Sequence, residues 1–250
     1  MSAHAPGAAW QRPEVVCSFL ERRRRVLPLL EMQEDLLVRV LRRHGQPLRW
    51  LLDLGSGDGA ISELLLGEWP EASAVLFDNS RAMLERADTR LARFQGRWTA
   101  VEGDLSRPGW HDALPEQSRS GGFDAVASSY AIHHLESADK RKLFEAIFAL
   151  LEPGGMFLNM DFVAAPGPLE GLFEEQMKVN FVRAERERGG QRTEQEIGHE
   201  LSHAFDTDEE DRPDRAEDQV SWLAAAGFEQ AQIHFKWGEV AVYGAAKPVT

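Results

Sequence analysis

A short apolar strand that runs directly into a glycine-rich turn constrains the fold of this chain more than any other feature. Residues 50–54 are apolar apart from Asp53, as in a strand that is covered on both faces of a parallel sheet. Gly55, Gly57 and Gly59 follow, and then a helical pattern begins. Glycines let the main chain turn sharply and lie close to a ligand, and a helix start offers unpaired N–H groups to an anion. The sequence therefore predicts an α/β fold whose first strand ends in a nucleotide-binding type of loop.

Two ligands are compatible with this loop. The pattern Gly-x-Gly-x-x-Ala from residue 55 fits the loose dinucleotide fingerprint, and Asp78 stands near the distance expected of a ribose-binding acid. Gly59, together with Asp53 two residues before the first glycine, instead gives Asp-x-Gly-x-Gly-x-Gly. This longer pattern resembles the first motif of the class I S-adenosylmethionine-dependent methyltransferases.

Four further segments resemble motifs of that family, in the family's order. A second strand, residues 74–78, ends in Asp78, and the Asn-Ser-Arg-Ala-Met-Leu that follows is close to the family's Asp-x-Ser-x-x-Met-Leu. Residues 101–105 resemble the third motif, residues 123–135 the fourth strand with its loop, and residues 150–158 the turn into the fifth strand. The dinucleotide interpretation accounts only for the first motif, so we favour the methyltransferase resemblance.

The resemblance implies a Rossmann-like α/β fold. Its sheet is expected to have seven mostly parallel strands with a C-terminal antiparallel hairpin, here residues 230–237 and 239–246, and helices on both faces. Residues 1–45 are expected to form an N-terminal helical cap over the cofactor site. Residues 46–250 would then be the methyltransferase domain, with residues 165–217 as an inserted lid or substrate wall.

The resemblance also implies the cofactor, S-adenosyl-L-methionine, which becomes S-adenosyl-L-homocysteine. Asp53 is expected beside its methionyl part and Asp104 beside its adenine. A carboxylate at the end of a strand can accept both ribose hydroxyls, and Asp78 is expected to do so. The full set of predicted cofactor-binding residues is Asp53, Gly55, Ser56, Gly57, Asp78, Asn79, Met83, Asp104, Leu105 and Ser128.

Candidate catalytic residues follow the fourth and fifth strands. Methyl transfer requires an acceptor atom held in line with the methyl group and, for a hydroxyl or ammonium acceptor, removal of a proton. His133, His134 and Tyr130 come after the fourth strand, and Asp161 comes after the fifth. These two loops resemble those of small-molecule O-methyltransferases, so His133, His134 and Asp161 are the predicted catalytic residues. His134 is equally compatible with a packed histidine that holds its loop in place.

Composition limits the kinds of methyl acceptor and the cellular compartment that we expect. The net charge of −13 argues against a nucleic acid, because binding one normally takes a basic face. The one basic cluster, residues 22–25, is compatible with a solvated helix face or with a cap on the cofactor's carboxylate. A single cysteine, Cys17, excludes an internal disulfide, and no segment approaches the roughly 18 apolar residues of a membrane span. We therefore expect a cytoplasmic protein that does not bind membranes.

These observations lead to one functional prediction and its alternatives. We predict transfer of a methyl group from S-adenosylmethionine to an oxygen or nitrogen of a small molecule. The alternatives are a macromolecular acceptor, such as a protein or tRNA, and a cofactor-binding protein that performs no methyl transfer. The oligomeric state is left open by the sequence.

One motif suggests a different chemistry. Residues 199–203 read His-Glu-Leu-Ser-His, the zinc-protease signature, in which both histidines lie on one face of a helix. No downstream residue is marked as a third ligand, and the rest of the chain matches another fold. We therefore predict a chance match and assign no metal, with an incidental or substrate-side metal site at His199 and His203 as the alternative.

Overall fold

A seven-stranded sheet forms the centre of the computed structural model, which describes residues 16, 20, 23–24, 26–116, 122–193, 195–197 and 211–249. The strands are β1 (Trp50–Leu54), β2 (Ser73–Asp78), β3 (Trp98–Glu102), β4 (Phe123–Ser129), β5 (Leu151–Phe162), β6 (Glu229–Trp237) and β7 (Val240–Ala246). Their order is β3-β2-β1-β4-β5-β7-β6, and β7 is antiparallel to both of its neighbours. The predicted Rossmann-like sheet with a C-terminal hairpin is confirmed.

Helices cover both faces of this sheet. They are α1 (Leu30–His44), α2 (Ala60–Glu68), α3 (Arg81–Arg90), α4 (Ser137–Leu150), α5 (Leu172–Glu187) and α6 (Ala216–Ala225). One buried cluster joins α1, α2, α3 and α5 to the sheet, and a second joins α4 and α6. In β1, Leu51 belongs to the first cluster and Leu52 to the second, because successive side chains of a strand face opposite sides. No helix in the described ranges is long and apolar enough to cross a bilayer.

Some predicted boundaries change in the structure. The predicted turn before the fifth strand lies inside β5, where the register with β4 shifts between Phe123 and Ala125. At that point a Cβ on Gly155 would lie 2.9 Å from the carbonyl oxygen of Phe123, so only glycine fits this irregular stretch of strand. Cys17, His199 and His203, which were considered in the sequence, lie outside the described residues.

A buried lysine anchors the segment that leads into α6. Lys140 of α4 is fully buried, and its Nζ lies 2.7 Å from Asp214 Oδ2 and also donates to the carbonyl of Arg212. Ser137 Oγ donates to the other carboxylate oxygen of Asp214 at 2.8 Å. The segment before α6 is thereby fixed against the start of α4.

Replacing Lys140 with methionine tests this anchor. The variant keeps the length of the side chain but leaves the carboxylate of Asp214 without its counter-ion, so the free energy of unfolding should fall by about 2 to 3 kcal/mol. Denaturant unfolding measures the change. Lys142→Met, on the exposed side of the same helix, is the matched control and should stay within about 0.5 kcal/mol of the parent. Equal losses in the two variants would contradict the anchoring role.

Candidate cofactor and acceptor site

The glycine-rich loop after β1 is fastened to the end of β2. Gly55 N donates to the carbonyl of Phe77 at 2.8 Å, and Gly57 N donates to Asp78 Oδ2 at 2.7 Å. The other carboxylate oxygen of Asp78 accepts from Ser80 N at 2.7 Å, just before α3 begins. Asp78 therefore positions both the loop and the start of the next helix.

The same loop passes very close to the residues that follow β4. Gly55, Gly57 and Gly59 have φ angles of 61°, 54° and 78°, in the left-handed region that favours glycine. A Cβ on Gly55 would lie 2.2 Å from the Cβ of Ala131. Glycine is thus required at residue 55 by backbone conformation and by space.

Asp53 is buried at the end of β1. Its Oδ2 accepts hydrogen bonds from Ser62 N at 3.1 Å and from Ser62 Oγ at 2.7 Å. Its Oδ1 is buried and has no hydrogen-bond partner among the described residues. Burial raises the pKa of Asp53 from 3.8 to about 6, against the opposing effect of the Ser62 hydrogen bonds and the charge of Arg23. A buried carboxylate with one unused oxygen suits a cationic ligand.

Because the pKa of Asp53 is raised, the free energy of unfolding should fall as this carboxyl ionises. A carboxyl group whose pKa is higher in the folded chain adds stability that is fully present below about pH 4 and is lost as the pH rises through about 6. Asp53→Asn should therefore gain stability relative to the parent at pH 7, by up to about 3 kcal/mol, and gain little at pH 4. Denaturant unfolding at both pH values measures this, with the exposed Asp88→Asn as control. An equal difference at pH 4 and pH 7 would contradict the assignment.

An arginine of the N-terminal segment reaches the same edge of the sheet. Arg23 Nη2 donates to Ser129 Oγ at 2.9 Å, and Nη1 lies 3.9 Å from Asp58 Oδ1. Its Nε is buried without a hydrogen-bond partner in the described part of the chain. Beneath it, Ser128 Oγ donates to the carbonyl of Leu54 at 2.8 Å, which ties β4 to the end of β1. A guanidinium beside the glycine loop suits an anionic group such as a carboxylate.

The remaining predicted cofactor residues lie along the same edge. Asp104 follows β3, and its Oδ1 accepts from Ser106 N at 2.9 Å and from Ser106 Oγ at 2.6 Å. Met83 is buried in α3, Leu105 is half-buried, and Asn79 comes directly after Asp78. Parallel strands bring their carboxyl ends to one edge of a sheet, and this is where the predicted set lies. The contact of Asp104 with adenine stays a prediction.

The candidate catalytic residues form a buried pair. His133 lies in a short 3₁₀ turn after β4, and its Nδ1 is 2.6 Å from Asp161 Oδ1. The carboxylate of Asp161 also accepts from His133 N at 3.1 Å, from Asn159 Nδ2 at 3.1 Å and from Phe162 N at 2.9 Å. Asp161 lies within β5, one residue before its end, rather than after the strand as expected. Its position is fixed by four hydrogen bonds.

A second carboxylate, which the sequence did not reveal, completes this cluster. Asp211 Oδ1 lies 3.5 Å from His133 Nε2 and 3.2 Å from His134 Nδ1. Burial lowers the pKa of His133, but Asp161 and Asp211 together raise it to about 9. Burial alone would raise the pKa of the Asp211 carboxyl, but the two imidazoles hold it well below its ordinary value. The two carboxylates on either side of His133 therefore favour its protonated form.

Further polar residues support the pair from within the fold. Asn159 Nδ2 donates to the hydroxyl of Tyr243 at 2.7 Å, and that hydroxyl donates to Gln219 Oε1. Tyr130, named with the histidines from the sequence, instead bonds through its hydroxyl to Gln33 of α1 at 3.0 Å. The structure thus brings His133, His134 and Asp161 together and places the Tyr130 hydroxyl against the N-terminal helix.

The residues present fit S-adenosylmethionine at the edge formed by β1, β2 and β4. Near the glycine loop, three buried polar atoms lack hydrogen-bond partners among the described residues: Asp53 Oδ1, Ser56 Oγ and Arg23 Nε. They offer an anion, a hydroxyl and a cation to the ammonium and carboxylate of a methionyl group. The rest of the cradle is main chain at Gly55, where neighbouring atoms are so close that no Cβ fits. The fold is Rossmann-like, and the residues at this edge suit S-adenosylmethionine.

Comparison with known proteins shows which family the central part of the chain resembles. Residues 51–155 match the family model described as a methyltransferase domain. An uncharacterized methyltransferase of Mycobacterium tuberculosis is 32% identical over 139 residues, which cover 56% of this chain and 63% of the relative. The match therefore spans less than two thirds of that relative's length. Residues 51–155 thus resemble a methyltransferase domain, and S-adenosylmethionine is the cofactor that these comparisons support.

Two other comparisons extend over nearly the whole chain. The carboxy-S-adenosyl-L-methionine synthase of Nautilia profundicola is 22% identical over 94% of this chain and 92% of its own length. A solved O-methyltransferase family 2 protein of Planctomyces limnophilus, in complex with apigenin, superposes with a TM-score of 0.61 at 16% identity. That superposition covers 98% of this chain and 63% of the solved chain. At this identity the likeness shows the fold.

Proposed function

We propose that this protein transfers the methyl group of S-adenosylmethionine to an oxygen or nitrogen of a small molecule. The observation that supports this most is the juxtaposition of two features at one edge of the sheet. The fitted cofactor cradle lies at the ends of β1, β2 and β4, and the His133–Asp161 pair lies at the ends of β4 and β5. An acceptor between them would face both the methyl group and the polar cluster.

The chain's own residues supply binding, orientation and exclusion of water. S-adenosylmethionine, when bound, supplies a methyl group already activated by its positive sulfur. Asp78 would hold the ribose, and Asp53 with Arg23 would hold the methionyl end. His133 and His134 would orient the acceptor by hydrogen bonding, since the position of His133 is fixed by Asp161.

The N-terminal residues and α5 are proposed to enclose the acceptor. Asn180 of α5 donates to the carbonyl of Val26 at 3.1 Å, so the two segments contact each other directly. A cavity of about 460 Å³ lies between them, lined in part by Leu30, Met32 and Asn180. Its lining comes from residues 24–32 and from α5, so this cavity is separate from the glycine loop and from His133. The contact between α5 and Val26 supports the proposed cap at residues 1–45 and inserted segment at residues 165–217.

The full-length match to a carboxy-S-adenosyl-L-methionine synthase supports a second candidate function. In that case the same cradle would bind the cofactor for chemistry without methyl transfer. A macromolecular acceptor is less well supported, because the net charge of −13 opposes binding to RNA.

Incubation with S-adenosylmethionine that carries a deuterated methyl group distinguishes these functions. The protein is mixed with small-molecule extract, total RNA or total protein, and mass spectrometry follows the label. The proposed function predicts labelled small molecules and S-adenosylhomocysteine. Label confined to RNA or protein, or a cofactor modified without loss of its methyl group, would contradict it. Asp78→Ala is the control, because its weaker binding of the cofactor should reduce the labelling.

A further inference from the structure

A cluster of two histidines and a carboxylate at the end of β4 has the composition and spacing of a metal site. Each of His133, His134 and Asp211 offers one ligand atom, and these atoms all lie within 4.8 Å of one another. We propose that they bind a divalent metal ion of the zinc type through His133 Nε2, His134 Nδ1 and Asp211 Oδ1. Two imidazoles and one carboxylate form a known ligand set for zinc and other divalent transition metals.

The distances favour coordination by a small cation. Bonds of 2.0 to 2.1 Å in a tetrahedral zinc site place the ligand atoms about 3.3 Å apart. Asp211 Oδ1 lies 3.2 Å from His134 Nδ1 and 3.5 Å from His133 Nε2, so both separations are close to that value.

The surroundings of His133 are those of a metal ligand. Metal-bound histidines usually donate their second ring nitrogen to a carboxylate, which fixes the ring and its tautomer. His133 Nδ1 contacts Asp161 Oδ1 at 2.6 Å, and this leaves Nε2 as the atom that faces Asp211. Asp161 is itself held by Asn159 and by the main chain of Phe162. The outer shell that such a site needs is therefore already in place.

The third ligand is held from its C-terminal side. Arg212 N donates to the carbonyl of His133 at 2.9 Å, and Arg212 Nη1 donates to the carbonyl of His134 at 3.2 Å. Lys140 then fixes Asp214, three residues beyond Asp211. The main chain next to Asp211 is thus held beside the two histidines.

Charge and access also suit a cation. Asp161 and Asp211 place two negative charges around the imidazoles, and a divalent ion with neutral histidines would compensate both. The side chain of His133 is buried, whereas those of His134 and Asp211 are 25% and 50% exposed, so the site can be reached from solvent. Positions not filled by the protein would take water. If the proposed function is correct, they would take an oxygen or nitrogen of the acceptor.

This site differs from the one that the sequence motif suggested. The His-Glu-x-x-His motif places its histidines at residues 199 and 203, outside the described residues. The proposed ligands instead come from the loop after β4 and from the segment before α6. His134 and Asp211 are 77 residues apart in the sequence. Substitutions in the two places therefore separate the two sites.

Zinc and cobalt titration of tag-free protein tests the proposal. After dialysis against chelator, calorimetry with Zn²⁺ should show one site per chain, and Co²⁺ should give the visible absorption of a tetrahedral site with nitrogen and oxygen ligands. Asp211→Asn and His134→Ala should each weaken binding at least about tenfold, since even outer-shell changes cost about 10- to 100-fold. Both side chains are partly exposed, so these variants should fold.

His199→Ala and His203→Ala are the matched controls and should bind zinc like the parent. The proposal is overturned if zinc does not bind, or if binding survives Asp211→Asn and His134→Ala but is lost in the controls. Titration with S-adenosylmethionine in parallel separates this inference from the proposed function. Cofactor binding without zinc binding refutes only the metal site, and zinc binding without cofactor binding refutes only the proposed function.

Discussion

Replacing Gly55 with alanine is expected to lower the free energy of unfolding by about 2 to 4 kcal/mol. The added Cβ would lie 2.2 Å from the Cβ of Ala131, and residue 55 has a φ of 61°, so overlap and backbone strain act together. Any relief requires the loop to move from the carbonyl of Phe77, which Gly55 N contacts. Affinity for S-adenosylmethionine should consequently fall at least about tenfold, since that loop forms the cradle. Denaturant unfolding and calorimetric titration measure the two effects.

Gly67→Ala is the control for this experiment. Gly67 lies in α2, and a Cβ there meets nothing within 4 Å. Alanine should leave cofactor affinity unchanged and raise the stability by up to about 1 kcal/mol, because alanine has the higher helix propensity. If Gly55→Ala binds the cofactor like the parent, the glycine loop is not the cradle.

Replacing Asp78 with alanine is expected to weaken S-adenosylmethionine binding by about 3 kcal/mol, or about a hundredfold. The carboxylate would lose charge-assisted hydrogen bonds to the ribose hydroxyls, and it would also release Gly57 N and Ser80 N, which it holds at 2.7 Å. Asp78→Asn should lie between alanine and the parent, because its amide keeps one acceptor oxygen. Calorimetric titration at constant pH gives the three affinities.

The control for Asp78 is a carboxylate that lies away from the edge of the sheet. Asp88→Asn, on the exposed side of α3, should bind the cofactor with the parent's affinity. Unfolding curves identify any variant whose weak binding reflects loss of fold. An Asp78→Ala protein that is folded and binds within twofold of the parent would refute the ribose assignment.

The fold could be predicted because its signals are local. An apolar strand, alternate glycines and an acid at a strand end lie within a short stretch of sequence, and each of them predicts a particular local conformation. Asp53 and Asp78 lie at the predicted strand ends, and Gly57 N bonds to Asp78 across the loop. The motifs follow one another along the chain as in the family that they resemble, and this resemblance implied the arrangement of the sheet.

Contacts between distant segments could not be predicted in the same way. Asp211 is one of many acids in a charged segment, and only packing of that segment on α4 places it beside His133. Arg23 meets Ser129 across 106 residues, and nothing local distinguishes it from the neighbouring arginines. A local contact can also escape prediction. The carboxylate of Asp104 accepts a hydrogen bond from Ser106, two residues further on, in a turn that the sequence allows but does not require.

Calorimetric titration of the purified protein with S-adenosylmethionine, and then with S-adenosylhomocysteine, tests the central claim most directly. The claim is that the ends of β1, β2 and β4 form a cofactor site in which Asp53, Gly55 and Asp78 take part. We expect one site per chain with micromolar affinity for both compounds, weakened about a hundredfold in Asp78→Ala and unchanged in Asp88→Asn. Absence of binding by either compound to folded protein, or equal binding by Asp78→Ala, would contradict it.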